Sequence, residues 1–232
     1  MTAANTTAYA ATGPRWIIEA RSLVMLPAAD QARITADQGS IILADSKAAF
    51  GHNGSNAEHY TTIVPCSTLT ISGHHYFAKC LSLTDAPPPA GTRALYDPEG
   101  WQLTSPDEIT HECKAMRKAA AIIKAAGATM IAAPSTSEKK YLVQCAARAA
   151  ASTAGGEVMI HFQVQGREMN LDDFGHRLRQ STRWAHDPTG GVPGITVSFG
   201  VTTNPKYGAT AAGMFAAWQL ATGYLDGRRR AG

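Results

Sequence analysis

Charge is scarce in this chain of 232 residues, of which Asp, Glu, Lys and Arg together make up 17%. The 21 basic residues exceed the 18 acidic ones by only three, so the formal net charge is +3. A charge this small provides no electrostatic basis for binding nucleic acid or an anionic membrane. The one basic run, at residues 228–230, is interpreted as part of a solvated tail. We therefore predict no nucleic acid and no membrane among the partners.

Three common catalytic and cofactor motifs are also absent. The sequence has no G-x-S-x-G, no P-loop and no G-x-G-x-x-G. Acyl transfer by a serine elbow, nucleotide phosphate binding and a Rossmann cofactor site therefore lack support. The histidines do not form a metal-ligand pattern, because adjacent His74 and His75 would face opposite sides of a strand. We predict no cofactor and no metal site.

The chain has only four cysteines, and none of them forms a C-x-x-C pair. We expect reduced thiols with a structural role, while a disulfide between Cys66 and Cys80 stays possible. No stretch is long and apolar enough to span a membrane, and residues 1–13 lack the basic and apolar regions of a signal peptide. The sequence therefore predicts a cytoplasmic location, with secretion as the alternative if a leader was removed.

Strands and helices alternate through the second half of the chain. The first half is less regular, and the role of residues 46–90 is left open. Eight strands are predicted, at residues 16–22, 40–45, 76–83, 93–99, 129–133, 157–165, 195–201 and 223–226, with a strand-like piece at 61–64. Helices are predicted at residues 106–126, 138–152, 171–185 and 210–222, with Asn170 as the cap of the third.

The helix predicted at residues 106–126 has a clear start signal. Ser105 is its expected N-cap, Pro106 its first residue and Glu108 its third, which is the capping-box pattern. We therefore give Glu108 a structural role and do not count it among the catalytic acids. An apolar stripe follows at spacings of three and four, formed by Ile109, Cys113, Met116, Ala120 and Ile123.

The pattern of the later strands favours a closed barrel over an open doubly wound sheet. The strands predicted at residues 157–165 and 195–201 each have one apolar face. This face carries Val158 and Ile160 in the first strand and Val197 and Phe199 in the second. The opposite face is small or polar, whereas an open sheet covered on both faces reads apolar throughout. We predict an α/β fold with a single (β/α)8 TIM-like barrel over residues 1–232, irregular in its N-terminal third. Residues 1–13 are predicted as a flexible N-terminus and 228–232 as a basic tail.

Two carboxylates stand one residue apart at the end of a predicted strand. Asp97 and Glu99 should project to the same side, because side chains at i and i+2 of a strand share a face. Carboxylates that share a site drive their pKa values apart, which makes one of them a usable acid or base. We predict Glu99, nearer the rim, as the acid/base and Asp97 as its orienting partner.

Further residues at predicted strand ends are candidates for binding substrate. In a barrel, groups at the C-terminal ends of the strands surround one mouth. Amide side chains suit a hydroxyl-rich ligand, because each offers both donors and acceptors. The predicted binding residues are His161, Gln163, Gln165, Asn204, Trp101, Asp45 and Asp226.

Several short motifs together resemble a poorly characterised actinobacterial group of glycoside-hydrolase-like barrel proteins. The motifs are Ala-Leu-Tyr-Asp-Pro-Glu-Gly-Trp at residues 94–101, Thr-Ser-Pro at 104–106, Met-Ile-Ala-Ala-Pro at 130–134, Gln-Val-Gln at 163–165 and Thr-Thr-Asn-Pro at 202–205. The similarity covers about residues 92–227. The Asp-Gly-x-Trp segment with which the group ends is reduced here to Asp226 and Gly227. The resemblance implies a TIM-like barrel more strongly than any one reaction.

The leading interpretation is an enzyme that acts on a carbohydrate or glycoside-like, hydroxyl-rich substrate by carboxylate acid/base catalysis. Two carboxyls on one strand lie too close together to flank a glycosidic bond, so a second acid such as Asp45 or Asp226 would be needed. A cofactor-free lyase, isomerase or cyclase and a non-catalytic ligand-binding barrel stay open. The expected partner is a small molecule or sugar, and the sequence leaves the oligomeric state open.

Overall fold

The structure, a computed structural model, describes residues 16–19, 26–36, 41–43, 63–66, 93–98, 106–125, 127–161, 170–200 and 210–230. Its strands are β1 (Trp16–Glu19), β2 (Ile41–Leu43), β3 (Ile63–Cys66), β4 (Arg93–Tyr96), β5 (Thr129–Ala132), β6 (Glu157–His161) and β7 (Thr196–Gly200). Its helices are α1 (Ala28–Ala36), α2 (Pro106–Thr110), α3 (Glu112–Ala125), α4 (Lys140–Ala151), α5 (Leu171–Ala185) and α6 (Ala211–Arg230).

The described strands all pair in parallel and in chain order. From β4 to β7 each strand is followed by helix and then by its parallel neighbour, which confirms the predicted α/β class. The shorter strands β1 to β3 continue the sheet, and β7 also pairs with β1 where Phe199 lies opposite Trp16. The seven described strands therefore form a closed ring. The predicted strand at 76–83 lies outside the described residues.

The last predicted strand is wrong. Residues 223–226 continue helix α6, which runs from Ala211 to Arg230. Asp226 therefore lies within a helix and not at the end of an eighth strand. Although α6 has 20 residues, none of the helices among the described residues has the combined length and hydropathy of a membrane span.

Alternation along the strands separates two apolar clusters, and the inner one is more apolar than the small or polar face that the sequence predicts. Side chains on the outer face, such as those of Tyr96, Ile160 and Phe199, belong to the large cluster that packs against the helices. The inner face of the ring holds a smaller cluster of Leu95, Ile131, Ala133 and Met159. Neighbouring side chains of a strand point to opposite sides. The two clusters therefore show which residues of β4 to β7 face the inside of the ring and which face the helices.

The outer cluster combines aromatic contacts with close helix packing. Phe174 of α5 meets Phe199 of β7 edge to face, with ring centroids 6.2 Å apart. Helices α3 and α4 bury mainly alanines on their inner faces, which lets them lie close to the strands and to each other. Gly127 ends α3 with φ of +72°, a conformation that glycine adopts without steric cost. The predicted cap of α5 is confirmed, since the Asn170 side chain accepts a hydrogen bond from the Asp173 amide.

A disulfide joins α3 to α4 and corrects the expectation that these cysteines are reduced. Cys113 and Cys145 are bonded, with Cα atoms 5.4 Å apart. Both residues were predicted within helices, but the sequence does not show that the two helices lie side by side with these positions facing each other. The alternative pairing of Cys66 with Cys80 involves a residue outside the described part of the chain.

Replacing Cys113 and Cys145 by Ser together is expected to lower the free energy of unfolding by about 2–4 kcal/mol, because the bridge restricts the unfolded chain. Guanidinium denaturation followed by circular dichroism measures the loss. Chemical reduction of the wild type should lower the free energy of unfolding by the same amount. Reduction of the double variant should leave its free energy of unfolding unchanged. If maleimide labels all 4 cysteines in unfolded but unreduced protein, the bridge is absent.

Candidate active site

Of the predicted site residues, Asp97 lies in the best-described surroundings. His161 is the last residue of β6, but only its backbone is described. Asp226 lies in α6. Six predicted site residues lie outside the described residues: Glu99, Trp101, Gln163, Gln165, Asn204 and Asp45.

Asp97 follows β4 directly, at the carboxyl edge of the parallel strands. It stands two residues after Leu95, which belongs to the inner cluster, so alternation assigns Asp97 to the inner side of the ring. The residue is partly exposed, while its Oδ1 atom is buried. Asp97 is thus one carboxylate at the mouth of the ring, as the sequence predicts.

Behind Asp97, the neighbouring Tyr96 points outward and meets a second carboxylate. Tyr96 is 0% exposed, and its hydroxyl donates a 2.8 Å hydrogen bond to Glu108 Oε2 in α2. Burial raises the pKa of Tyr96, and the negative charges of Glu108, Glu112 and Asp97 raise it further. The phenol therefore stays protonated and remains a hydrogen-bond donor at every working pH.

A third carboxylate, Glu112 at the start of α3, holds the chain that follows β5. Its Oε1 accepts from the Ser135 amide at 2.6 Å, and its Oε2 accepts from the Ser135 hydroxyl at 2.5 Å. We call this pair of hydrogen bonds the Glu112–Ser135 clamp. Burial raises the pKa of Glu112, an effect that the Ser135 hydrogen bonds and the charge of Lys139 partly offset. A carboxyl of this kind takes up a proton closer to neutrality than an exposed glutamate does.

Sequence reasoning missed Glu112 and gave Glu108 only a capping role. Most of the predicted apolar stripe is confirmed, since Met116, Ala120 and Ile123 are buried. Its first residue, Ile109, is 45% exposed, whereas Glu108 is 4% and Glu112 5% exposed. Residues four apart share a helix face, so the Glu108–Glu112 spacing was itself a usable signal. Burial of Glu108 beside Tyr96 goes beyond its predicted capping role, and the expected N-cap Ser105 lies outside the described residues.

The carboxyl edge of β4 and β5 therefore combines three carboxylates, a phenol and a serine. The Ala133 amide donates to the Tyr96 carbonyl at 2.9 Å, which fixes the two strand ends together. Among the described residues, no group of three or more His, Cys, Asp or Glu side chains has an arrangement that could hold a metal ion. Asp97 is the member of this group that faces the mouth of the ring, whereas Glu108 and Glu112 are buried and accept hydrogen bonds from Tyr96 and Ser135.

Two other polar features lie away from this edge. Glu157 is 0% exposed and begins β6, at the amino edge of the ring, where buried groups usually serve stability. A cleft of about 410 Å³ opens on the outer surface between α4 and α5, and its lining includes Lys140, Trp184 and Asp187. The Lys140 ammonium lies 2.6 Å from Asp187 Oδ2 and lowers the pKa of that carboxyl. Neither feature contains a predicted site residue.

Comparison with known proteins adds no family to this description. The chain matches none of the protein-family models against which it was compared, and no curated protein matches it at a significant level. The resemblance to glycoside-hydrolase-like barrels therefore stays a prediction. The case for a function has to be made from the residues at the carboxyl edge.

Replacing Tyr96 by Phe is expected to lower the free energy of unfolding by about 1–3 kcal/mol, because the buried Glu108 loses a hydrogen bond. Glu108→Gln keeps an acceptor for the hydroxyl and serves as the matched variant. A double-mutant cycle of Tyr96→Phe with Glu108→Ala, which removes the acceptor, isolates the interaction by chemical denaturation. If the effects of these two changes are simply additive, Tyr96 and Glu108 do not interact.

Replacing Glu112 by Gln is expected to change how stability depends on pH. Because the folded-state pKa of Glu112 is raised, its favourable contribution is complete below the unfolded pKa of about 4.3 and is lost as pH rises through the folded pKa. The wild type should therefore lose stability relative to Glu112→Gln as pH rises from about 4. Denaturation curves across the pH range measure this difference. Asp172→Asn, the same charge change at an exposed position, should not reproduce it.

Proposed function

We propose that the chain is an enzyme of the (β/α)8-barrel type that acts on a carbohydrate or other hydroxyl-rich substrate by carboxylate acid/base catalysis. The observation that carries this proposal is the position of Asp97, on the inner side at the carboxyl edge of a closed ring of parallel strands. Active sites of parallel α/β barrels are built at this edge, from residues that follow the strands.

In this proposal Glu99 is the acid/base and Asp97 orients it. Glu99 follows Asp97 by two residues, so a chain that stays extended brings both carboxyls to the same side. His161 reaches the same rim at the end of β6, and Gln163, Gln165, Asn204 and Trp101 complete the proposed contacts to hydroxyl groups. Hydrolysis of a glycosidic bond would require a second acid across the ring, for which Asp45 is the proposed candidate.

A second candidate function is a cofactor-free lyase, isomerase or cyclase, in which Asp97 and Glu99 would act together from one strand end. Glu108 and Glu112 would add no acid to this pair, because they are buried behind it and accept hydrogen bonds from Tyr96 and Ser135. Glycosidases use two carboxyls that flank the scissile bond, whereas removal and return of a proton needs only one cluster of acids on one side of the substrate. A non-catalytic binding barrel would use the same mouth without turnover.

The disulfide bears on the proposed compartment. Disulfides form and persist mainly in oxidising compartments and are rare in the cytosol. The bond between Cys113 and Cys145 therefore supports the alternative of a secreted chain over the predicted cytoplasmic location. Secretion also agrees with an extracellular carbohydrate as substrate.

The test is a screen of aryl glycosides and oligosaccharides for release of reducing sugar, followed by variants on any substrate found. Glu99→Gln and Asp97→Asn are each expected to lower kcat by about a hundredfold or more, because general acid–base catalysis contributes on that scale. Asp172→Asn, an exposed carboxylate in the first turn of α5, is the matched control and should leave turnover unchanged.

The outcomes of this screen separate the candidates. Full turnover by Glu99→Gln would show that the proposed acid/base is wrong. A substrate that gains a double bond or isomerises, without release of a sugar, supports the lyase or isomerase. A sugar that binds the wild type without any turnover supports a binding barrel.

A further inference from the structure

We propose that Glu112 is a positioning residue for the candidate site, which holds the chain after β5 against the end of β4 and so fixes where Asp97 stands. This inference rests on the proposed function for its catalytic meaning. Glu112 does not reach the mouth of the ring in this role. It acts through Ser135 and through the strand end that precedes Ser135.

In the clamp, one carboxylate accepts hydrogen bonds from one residue through both of its oxygens. The Ser135 amide donates to Oε1 and the Ser135 hydroxyl donates to Oε2, so that the serine cannot rotate or slide without losing a bond. Hydrogen bonds to an ionised acceptor are about twice as strong as neutral ones. Glu112 is 5% exposed, so water does not readily replace either bond.

Ser135 belongs to a short segment, residues 133–137, that we call the rim segment. Three different elements hold it. The Ala133 amide donates to the Tyr96 carbonyl at 2.9 Å, Glu112 of α3 binds Ser135, and the Ser181 hydroxyl of α5 donates to the Ser137 carbonyl at 3.0 Å. The Tyr96 carbonyl is in the peptide unit that leads directly to Asp97. Glu112 is therefore connected to Asp97 in three steps. The clamp joins Glu112 to Ser135, the chain leads from Ser135 back to Ala133, and the Ala133 amide binds the carbonyl that precedes Asp97.

Stability alone does not account for a glutamate at this position. Burying a carboxylate is costly, and yet α2 and the start of α3 bury Glu108 and Glu112 while Ile109 of α2 is exposed. Departures from the rule that buried positions are apolar occur most often at functional sites. Lys139, before α4, is the positive charge that acts on Glu112, and the Glu112 carboxylate in turn acts on Tyr96 at the end of β4.

The first test measures whether the clamp holds the rim segment. Amide hydrogen exchange at Ser135, followed by NMR, should become about ten to a hundred times faster in Glu112→Ala, because a buried charge-assisted hydrogen bond is lost. Glu112→Gln keeps an acceptor for the amide and should show a smaller increase. Lys114→Ala, at an exposed position of the same helix, should leave the exchange unchanged. Unchanged exchange in Glu112→Ala would overturn the clamp.

The second test measures whether the clamp reaches Asp97. The ¹³C carboxyl signal of Asp97 is titrated in the wild type, Glu112→Gln and Glu112→Ala. Both variants remove the same negative charge, so a difference between them reports a change of position and not of charge. We expect the titration midpoint of Asp97 in Glu112→Ala to differ from that in Glu112→Gln. Equal midpoints in the two variants would overturn the proposal.

The activity measurement separates this inference from the proposed function. On a substrate found by the glycoside screen, Glu112→Ala should lower kcat with little change in KM, and Glu112→Gln should restore most of the rate. If the wild type acts on no glycoside, the proposed function fails, while the exchange and titration results still decide the role of Glu112. If kcat is unchanged although Ser135 exchange rises, Glu112 serves stability alone.

Discussion

The apolar layer between the strands and the helices is the constraint on which the rest of this structure depends. Parallel strands need a crossover between each pair, and here α3, α4 and α5 provide those crossovers and cover the outer faces of β4 to β7. The outward side chains of each strand must then be apolar, which leaves the inward side chains free to vary. Asp97 is available to the mouth of the ring because its neighbour Tyr96 belongs to this layer.

At the carboxyl edge the same layer becomes polar. Tyr96 still packs among apolar residues, but its hydroxyl meets Glu108, and one helical turn later Glu112 binds Ser135. These polar groups hydrogen-bond to one another. The edge is therefore held together by directed hydrogen bonds, whereas the rest of the layer is held together by apolar packing. Directed contacts fix distances more narrowly than apolar packing does. The strand ends from which a site would be built are thus held at defined positions.

The disulfide belongs to the same region. Cys113 follows Glu112 directly, and its bond to Cys145 ties the first turn of α3 to the middle of α4. The clamp and the disulfide therefore act on neighbouring residues of one helix, the first through a buried charge and the second through a covalent bond. Together they limit how far α3 can move relative to the chain that follows β5.

The sequence alone predicts the α/β class, most of the elements from β4 to α5, the apolar faces of β6 and β7 and the position of Asp97 at a strand end. These follow from local periodicity and from caps such as Asn170, which depend on near neighbours in the chain. The folded structure was needed to show that residues 223–226 continue a helix, that Cys113 faces Cys145, and that α2 and α3 bury glutamates while Ile109 is exposed. For the cysteines and the glutamates the outcome depends on contacts between residues far apart in sequence. A helical periodicity leaves adjacent stripes almost equivalent until a partner such as Tyr96 or Ser135 selects one of them.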